Sequence, residues 1–211
     1  MGQGNTMKIL LVHGLGRTPM SMMGLSYCLD QSGYQTEFFS YTAFAESYEQ
    51  IVTRLRDRFR LLSTHGPYGV VAHSLGGILT RSALALSRNL PRHIVMLGTP
   101  NQPPRLAKLA WNLWPFQWFS GTSGANLASS EFYASLPDLH ASYTIIAGTS
   151  GPRGPWSPFG MELNDGLVAL NETRLLESDQ PLTFPGIHGF MMNQATVQTA
   201  VARVLQQTSS R

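Results

Sequence analysis

The chain has little cysteine and little charge. Its 211 residues include one cysteine, Cys28, so no disulfide can form within the chain. Charged residues make up 13% of the sequence, against a usual share of about 25%. The net charge is only +3, and like charges are not clustered. Because nucleic-acid binding needs a dense basic patch, we expect no nucleic-acid partner.

Long hydrophobic runs and internal repeats are also missing. No segment approaches the roughly 20 apolar residues that cross a membrane, and the apolar run at residues 8–12 is too short for a signal-peptide core. We therefore expect a cytoplasmic protein without an integral membrane segment. The length favours a single domain over residues 1–211, since domains usually hold about 100–200 residues. The oligomeric state is left open.

Short apolar segments alternate with longer amphipathic ones along the chain. This pattern is typical of an α/β fold, in which a mostly parallel central sheet is flanked by helices. Strands are predicted at residues 7–12, 34–41, 69–72, 94–98, 143–148 and 180–184. Helices are predicted at residues 19–31, 45–62, 76–87 and 190–207.

Ser74 lies between a predicted apolar strand and a predicted apolar helix. Small residues, Ala72 and Gly76, stand two positions before and two positions after it. A nucleophilic serine on a tight strand-to-helix turn needs small residues there, because the turn leaves no room for side chains. The alternative is that Ser74 only caps the helix, but capping does not require both small neighbours. We therefore predict that Ser74 is a nucleophile.

A second glycine-containing loop follows the first predicted strand and reads His13-Gly14-Leu15-Gly16. Acyl transfer needs two backbone N–H groups that stabilise the negatively charged oxygen of the tetrahedral intermediate. One comes from the residue after the nucleophile, here Leu75, and the other from a loop after an earlier strand, here Leu15. His13 is predicted to be a structural histidine of this loop.

Together with Leu97-Gly98-Thr99-Pro100, these two segments resemble the α/β-hydrolase superfamily, in particular small bacterial lipases and esterases. The resemblance extends over nearly the whole chain. It implies an α/β-hydrolase fold in which the nucleophile, the acid and the histidine follow one another in that order.

Three histidines follow Ser74, and one of them has the position of a catalytic base. His93 and His140 each precede a predicted strand, which places them at the opposite edge of the sheet from Ser74. His188 follows the last predicted strand and precedes the last predicted helix. We therefore predict that His188 is the base.

The acid is predicted from the segment Asn164-Asp165-Gly166-Leu167-Val168. It resembles the Asp-Gly segment of lipases that carries the acid, which assigns Asp165 to this role. Glu162 is the alternative acid. An ordinary Asp-Gly turn is the structural alternative.

Residues 101–135 are rich in aromatic side chains and lie where this fold inserts a cap. Trp111, Trp114 and Trp118 are three and four residues apart, so that a helix would align them. They either form an apolar cap over an acyl pocket, and then bind substrate, or pack into the core. The cap interpretation predicts an apolar acyl ester as substrate.

The predicted function is carboxylic ester hydrolysis by a lipase- or esterase-like serine hydrolase, through an acyl-enzyme on the triad. No cofactor or metal is expected, since no cluster of His, Cys and carboxylates has the spacing of a metal site. A thioesterase, an amidase or an acyltransferase would use the same residues. A non-catalytic hydrolase-fold protein that binds apolar ligands is a further alternative, although binding does not require all three triad residues.

Overall fold

A computed structural model describes residues 7–85, 87–107 and 122–209. Its strands form one six-stranded sheet in the order β2-β1-β3-β4-β5-β6, and every neighbouring pair is parallel. This confirms the predicted parallel sheet. The strands are β1 (Lys8–Val12), β2 (Gln35–Phe39), β3 (Tyr68–His73), β4 (His93–Leu97), β5 (Tyr143–Gly148) and β6 (Leu182–Phe184).

Helices cover both faces of this sheet. They are α1 (Met23–Gln31), α2 (Tyr48–Thr64), α3 (Leu75–Leu84), α4 (Ser130–Ser135) and α5 (Ala195–Ser209), with 3₁₀ turns at Pro19–Met22, Asn171–Thr173 and Met191–Asn193. Residues 105–107 and 122–128 are also helical. Within the described part of the chain, no helix is both long and apolar enough to span a membrane.

Alternate side chains of the strands enter two separate hydrophobic cores, because successive residues of a strand point to opposite faces. In β1, Leu10 and Val12 pack into the core that contains the buried faces of α2 and α3. Ile9 and Leu11 pack into the core that contains α1 and α5. The sheet is thus apolar on both faces, which explains why its central strands read as continuous apolar runs.

Three helices begin later than predicted. The first predicted helix opens with the 3₁₀ turn Pro19–Met22, so that α1 begins at Met23. The second begins at Tyr48, because Ser47 and Gln50 form a reciprocal capping box that fixes its first turn. The last begins at Ala195 and not at residue 190, because Gln194 is extended, with φ −83° and ψ 128°. The helix α4 was not predicted. Ser129 caps it by accepting the N–H of Phe132.

The order of the strands reverses at β1. The chain passes from β1 to β2 on one side and then returns to place β3 on the other side. The loops after β1 and β3 therefore diverge at the carboxyl edge of the sheet, and ligands of open α/β sheets bind in such a crevice. These are the loops that contain Leu15 and Ser74.

Candidate active site

Ser74 joins β3 to α3 in a sparsely populated backbone conformation, with φ 53° and ψ −123°. Among the described residues other than glycine, Ser74 alone has a positive φ. Such strain costs on the order of 1–3 kcal/mol and is found mainly at functional sites. The turn is also crowded, since a Cβ on Gly76 would lie 2.6 Å from the carbonyl oxygen of Val12. Glycine at position 76 is therefore a requirement of the turn.

The three predicted triad residues meet at this turn. His188 Nε2 lies 2.9 Å from Ser74 Oγ, and His188 Nδ1 lies 2.7 Å from Asp165 Oδ2. His188 and Asp165 are buried, with 6% and 2% of their surfaces exposed. Because the carboxylate can only accept, Nδ1–H donates to Asp165 and Nε2 is left to accept the Ser74 hydroxyl proton. The structure thus joins residues that are 114 and 23 positions apart in the sequence.

Backbone groups hold the Asp165 carboxylate in place. Its Oδ1 accepts the N–H groups of Leu167 and Val168, at 3.0 and 2.8 Å. The backbone carbonyl of Asp165 accepts the N–H of His188 at 2.8 Å. Hydrogen bonds that a backbone N–H donates to a carboxylate are stronger than those between neutral groups. The Asp165 carboxylate is therefore oriented by its own loop as well as by His188.

Glu162, the alternative acid, has a different partner. It forms an ion pair with Arg105, which also contacts the buried Glu172 through a 2.8 Å hydrogen bond. These bonds, first to Glu162 and then to Glu172, raise the pKa of Arg105. The described contacts thus place Asp165, and not Glu162, against His188.

A cavity of about 390 Å³ opens beside Ser74 and His188. Much of its described lining is apolar and includes Leu106, Ala107, Leu127, Leu167 and Val168. Trp111, Trp114 and Trp118 lie outside the described residues. In the described part of the chain, no group of three or more His, Cys, Asp or Glu side chains is arranged to hold a metal ion.

The two N–H groups predicted to contact the substrate oxygen are those of Leu15 and Leu75. Leu75 is the first residue of α3, where N–H groups have no partner within the helix. Leu15 lines the same cavity as Ser74. In the described structure neither N–H donates to a backbone carbonyl. Both groups are therefore available to a ligand.

The profile of the Alpha/beta hydrolase family matches residues 9–206. The chain belongs to this family. This confirms the predicted superfamily and the predicted fold class.

Solved structures of hydrolases have the same fold as this α/β hydrolase. A Bacillus licheniformis lipase, BlEst2 in its mature form, is 20% identical with a TM-score of 0.73, over 97% of this chain and 94% of that one. A metagenomic carboxyl esterase is 14% identical with a TM-score of 0.73, over 99% and 77%. The RedJ thioesterase of Streptomyces coelicolor is 14% identical with a TM-score of 0.59, over 96% and 90%. No curated protein sequence matches the chain significantly.

His73 is a residue of this hydrolase's site that sequence reasoning missed. It is buried, and its Nε2–H donates to the backbone carbonyl of His188 at 3.0 Å. Its Nδ1 has no hydrogen-bond partner among the described residues and faces Gly14, where a Cβ would lie only 2.8 Å away. Burial, and secondly the nearby His188, hold the pKa of His73 well below its usual range. A neutral His73 thus ties β3 to the loop that contains His188. The signal available in the sequence was a polar residue, His73, at the end of an otherwise apolar strand.

Two further histidines of the hydrolase, His13 and His93, lie in structural positions. His13 is buried, stacks on Tyr41 with ring centroids 4.2 Å apart, and donates from Nδ1 to the carbonyl of Gly14. Its burial lowers its pKa. His93 begins β4, at the opposite end of the strands from Ser74, and bonds to Ser142 and Thr144. These contacts agree with the structural role predicted for His13.

Proposed function

We propose that this α/β hydrolase is a serine hydrolase that cleaves carboxylic esters with apolar acyl groups. The observation that supports the proposal most directly is the series of hydrogen bonds from Asp165 through His188 to Ser74. It ends on a strained turn beside a largely apolar cavity. A purely structural serine would need neither a strained backbone nor hydrogen bonds that connect it to His188 and Asp165.

Acylation begins with attack of Ser74 Oγ on the acyl carbonyl carbon. His188 Nε2 accepts the hydroxyl proton, and Asp165 stabilises the imidazolium that forms. The tetrahedral intermediate collapses as the bond from the acyl carbon to the leaving oxygen breaks. Nε2–H then gives its proton to that oxygen, which releases the alcohol and leaves the acyl group on Ser74.

The N–H groups of Leu15 and Leu75 stabilise the negative oxygen of the intermediate in this proposal. Neither donates to a backbone carbonyl of the described residues, and they belong to the loop His13-Gly14-Leu15-Gly16, here called the oxyanion loop, and to the start of α3. Donors fixed in advance need no reorganisation during the reaction, and the loss of one costs about 10²–10³ in rate. In this proposal the strained turn is useful because it holds Ser74 against His188 and directly before Leu75.

Deacylation repeats these steps with water. His188 Nε2 takes a proton from the water molecule as its oxygen attacks the acyl carbon. The bond from that carbon to Ser74 Oγ breaks, Oγ regains the proton from His188, and a carboxylic acid leaves. Apolar side chains such as Leu127 and Val168 hold the acyl chain, and Trp111, Trp114 and Trp118 are proposed to extend this surface as a cap.

Labelling by a fluorophosphonate probe tests the proposal. We expect the wild type to be labelled, and Ser74→Ala to be unlabelled and to lose about 10⁴-fold or more in kcat for a p-nitrophenyl ester. Ser63→Ala, on α2, is the matched control and should behave as the wild type. Equal labelling of the wild type and Ser74→Ala, or none of either, would contradict nucleophilic catalysis at Ser74.

The same preparations separate the substrate classes that share this triad. A matched ester, thioester and anilide with one acyl group are compared by kcat/KM. We expect the ester to react at least as fast as the thioester and far faster than the anilide. Labelling of Ser74 together with strong preference for the thioester would keep the serine hydrolase and overturn the ester assignment.

A further inference from the structure

Arg17 brings a positive charge into a largely apolar cavity. Among the described residues that line the cavity, no other is an Arg, Lys, Asp or Glu. Its backbone N–H donates to the carbonyl of Gly14 at 3.3 Å, so it directly follows the predicted oxyanion loop. The charge therefore stands beside the site of acyl transfer.

The guanidinium of Arg17 lies against the loop that carries His188. Its Nη2 occupies the place that a Cβ on Gly189 would need, and its Cζ lies 5.7 Å from the centre of the Phe190 ring. The charge also contributes to the low pKa of His73, after burial and His188. These observations locate the cation between the oxyanion loop and the loop that contains His188.

No carboxylate of the described residues lies within ion-pair distance of Arg17. Three other arginines, Arg54, Arg58 and Arg105, each pair with a glutamate. Contact of an aromatic ring with the guanidinium leaves its edge N–H groups free to donate. Arg17 thus retains donors in the geometry that suits a carboxylate or a phosphate.

We propose that Arg17 binds an anionic group of the substrate, so that this site prefers apolar esters that carry a carboxylate or phosphate near the scissile bond. The proposal rests on the proposed function at Ser74 and deepens it. The negative group pairs with Arg17, while the apolar part of the substrate packs against the apolar side chains that line the rest of the cavity.

Two matched substrate pairs test the proposal and distinguish the source of the anion. The acyl-side pair is p-nitrophenyl hydrogen glutarate and its methyl ester. The alcohol-side pair is para-acetoxyphenyl phosphate and its dimethyl ester. In at least one pair we expect the anion to have the higher kcat/KM by about tenfold, the value of one hydrogen bond to a charged group. This advantage should shrink at high salt, because Arg17 is exposed.

Arg17→Met should lower the anion-to-neutral ratio of kcat/KM by about tenfold, and Arg17→Lys should retain part of the preference. Arg60→Gln, an exposed arginine on α2, is the matched control and should leave the ratio unchanged. If Arg17→Met slows both members of each pair equally, Arg17 only clamps the two loops together and the proposal is wrong. An unchanged ratio would overturn it as well.

A readout without turnover separates this proposal from the proposed function. Octanoate should raise the thermal unfolding midpoint of the wild type more than octanol does, and Arg17→Met should lose that difference. Failure of Ser74 labelling with the octanoate effect intact would refute the hydrolase mechanism and leave the anion site. Normal labelling without any octanoate effect, in either variant, would refute the anion site alone.

Discussion

Ser74 is the residue at which local strain and the proposed function coincide. Its backbone has φ 53°, and its side chain contacts His188. The small residues Ala72 and Gly76 predicted this turn because only small side chains fit there. The surrounding fold maintains the strain, since β3 and α3 are both buried around the turn.

At the residue scale, Asp165→Asn tests the acid against its alternative. The amide introduced by this substitution would donate to His188 Nδ1, so the proton would sit on Nε2, which could then no longer accept the Ser74 hydroxyl proton. We expect kcat to fall by about 10³–10⁴ with little change in KM.

Glu162→Gln is the control for this change, because Glu162 pairs with Arg105 and lies outside the triad contacts. Its kcat should stay within a few-fold of the wild type. A larger loss in Glu162→Gln than in Asp165→Asn would transfer the acid role to Glu162. Steady-state kinetics on one p-nitrophenyl ester measure both variants.

At the scale of elements, α3 approaches the loop after β4 closely, one turn from Ser74. A Cβ on Gly77 would lie 2.5 Å from Thr99 Cγ2 and 2.8 Å from Thr99 Cβ. Thr99 is fully buried and comes from the Gly98-Thr99-Pro100 segment. The sequence contained these glycines, but only the packed structure shows which side chain each one accommodates.

Gly77→Ala is expected to lower the free energy of unfolding by about 1–3 kcal/mol through overpacking. This predicted destabilisation is opposite to the usual effect of the substitution, because Ala usually stabilises a helix by up to about 1 kcal/mol relative to Gly. Urea unfolding measures the change.

Thr99→Ala should rescue part of this loss, because it removes the nearest side-chain atoms. It should not rescue Gly76→Ala, where the added Cβ would meet backbone oxygens of Val12 and His13. A stabilising Gly77→Ala, or strict additivity of Gly77→Ala and Thr99→Ala, would contradict the predicted contact.

At the scale of the whole molecule, buried histidines make the free energy of unfolding depend on pH. Burial lowers the pKa of His13, His73 and His93 below 6.5. Below pH 6.5 the unfolded chain binds protons at these histidines that the folded protein does not bind. The stability that the neutral histidines contribute is therefore complete above that pH and is lost as the pH falls.

We expect the free energy of unfolding to fall as the pH is lowered from about 7 to about 5. Each such histidine should add up to about 1.4 kcal/mol per pH unit to this dependence.

His73→Gln tests the contribution of one of these histidines. Glutamine can still donate to the His188 carbonyl but does not titrate. The free energy of unfolding of this variant should therefore change less steeply with pH, by the contribution of about one bound proton. His65→Gln, exposed at the end of α2, is the control. Equal slopes in the wild type and His73→Gln would contradict a neutral buried His73. Urea titrations over this pH range provide the measurement.

Local patterns predicted the six strands and four of the helices of this protein, although they missed α4. Continuous apolar runs predicted the central strands, and one apolar stripe predicted α2, because both periodicities are properties of neighbouring residues. The helix boundaries at Tyr48 and Ala195 depended on single caps and turns, which such patterns do not resolve.

The sequence by itself determined the α/β class, the turn at Ser74 and the order in which Asp165 and His188 follow it, since each depends on residue types and their spacing. The tertiary structure alone decided that Asp165 and not Glu162 contacts His188, that His73 holds the loop of His188, and that Arg17 lines the cavity. The physical reason is that these contacts join residues on different strands and loops, whose distances arise only when the parallel sheet is assembled.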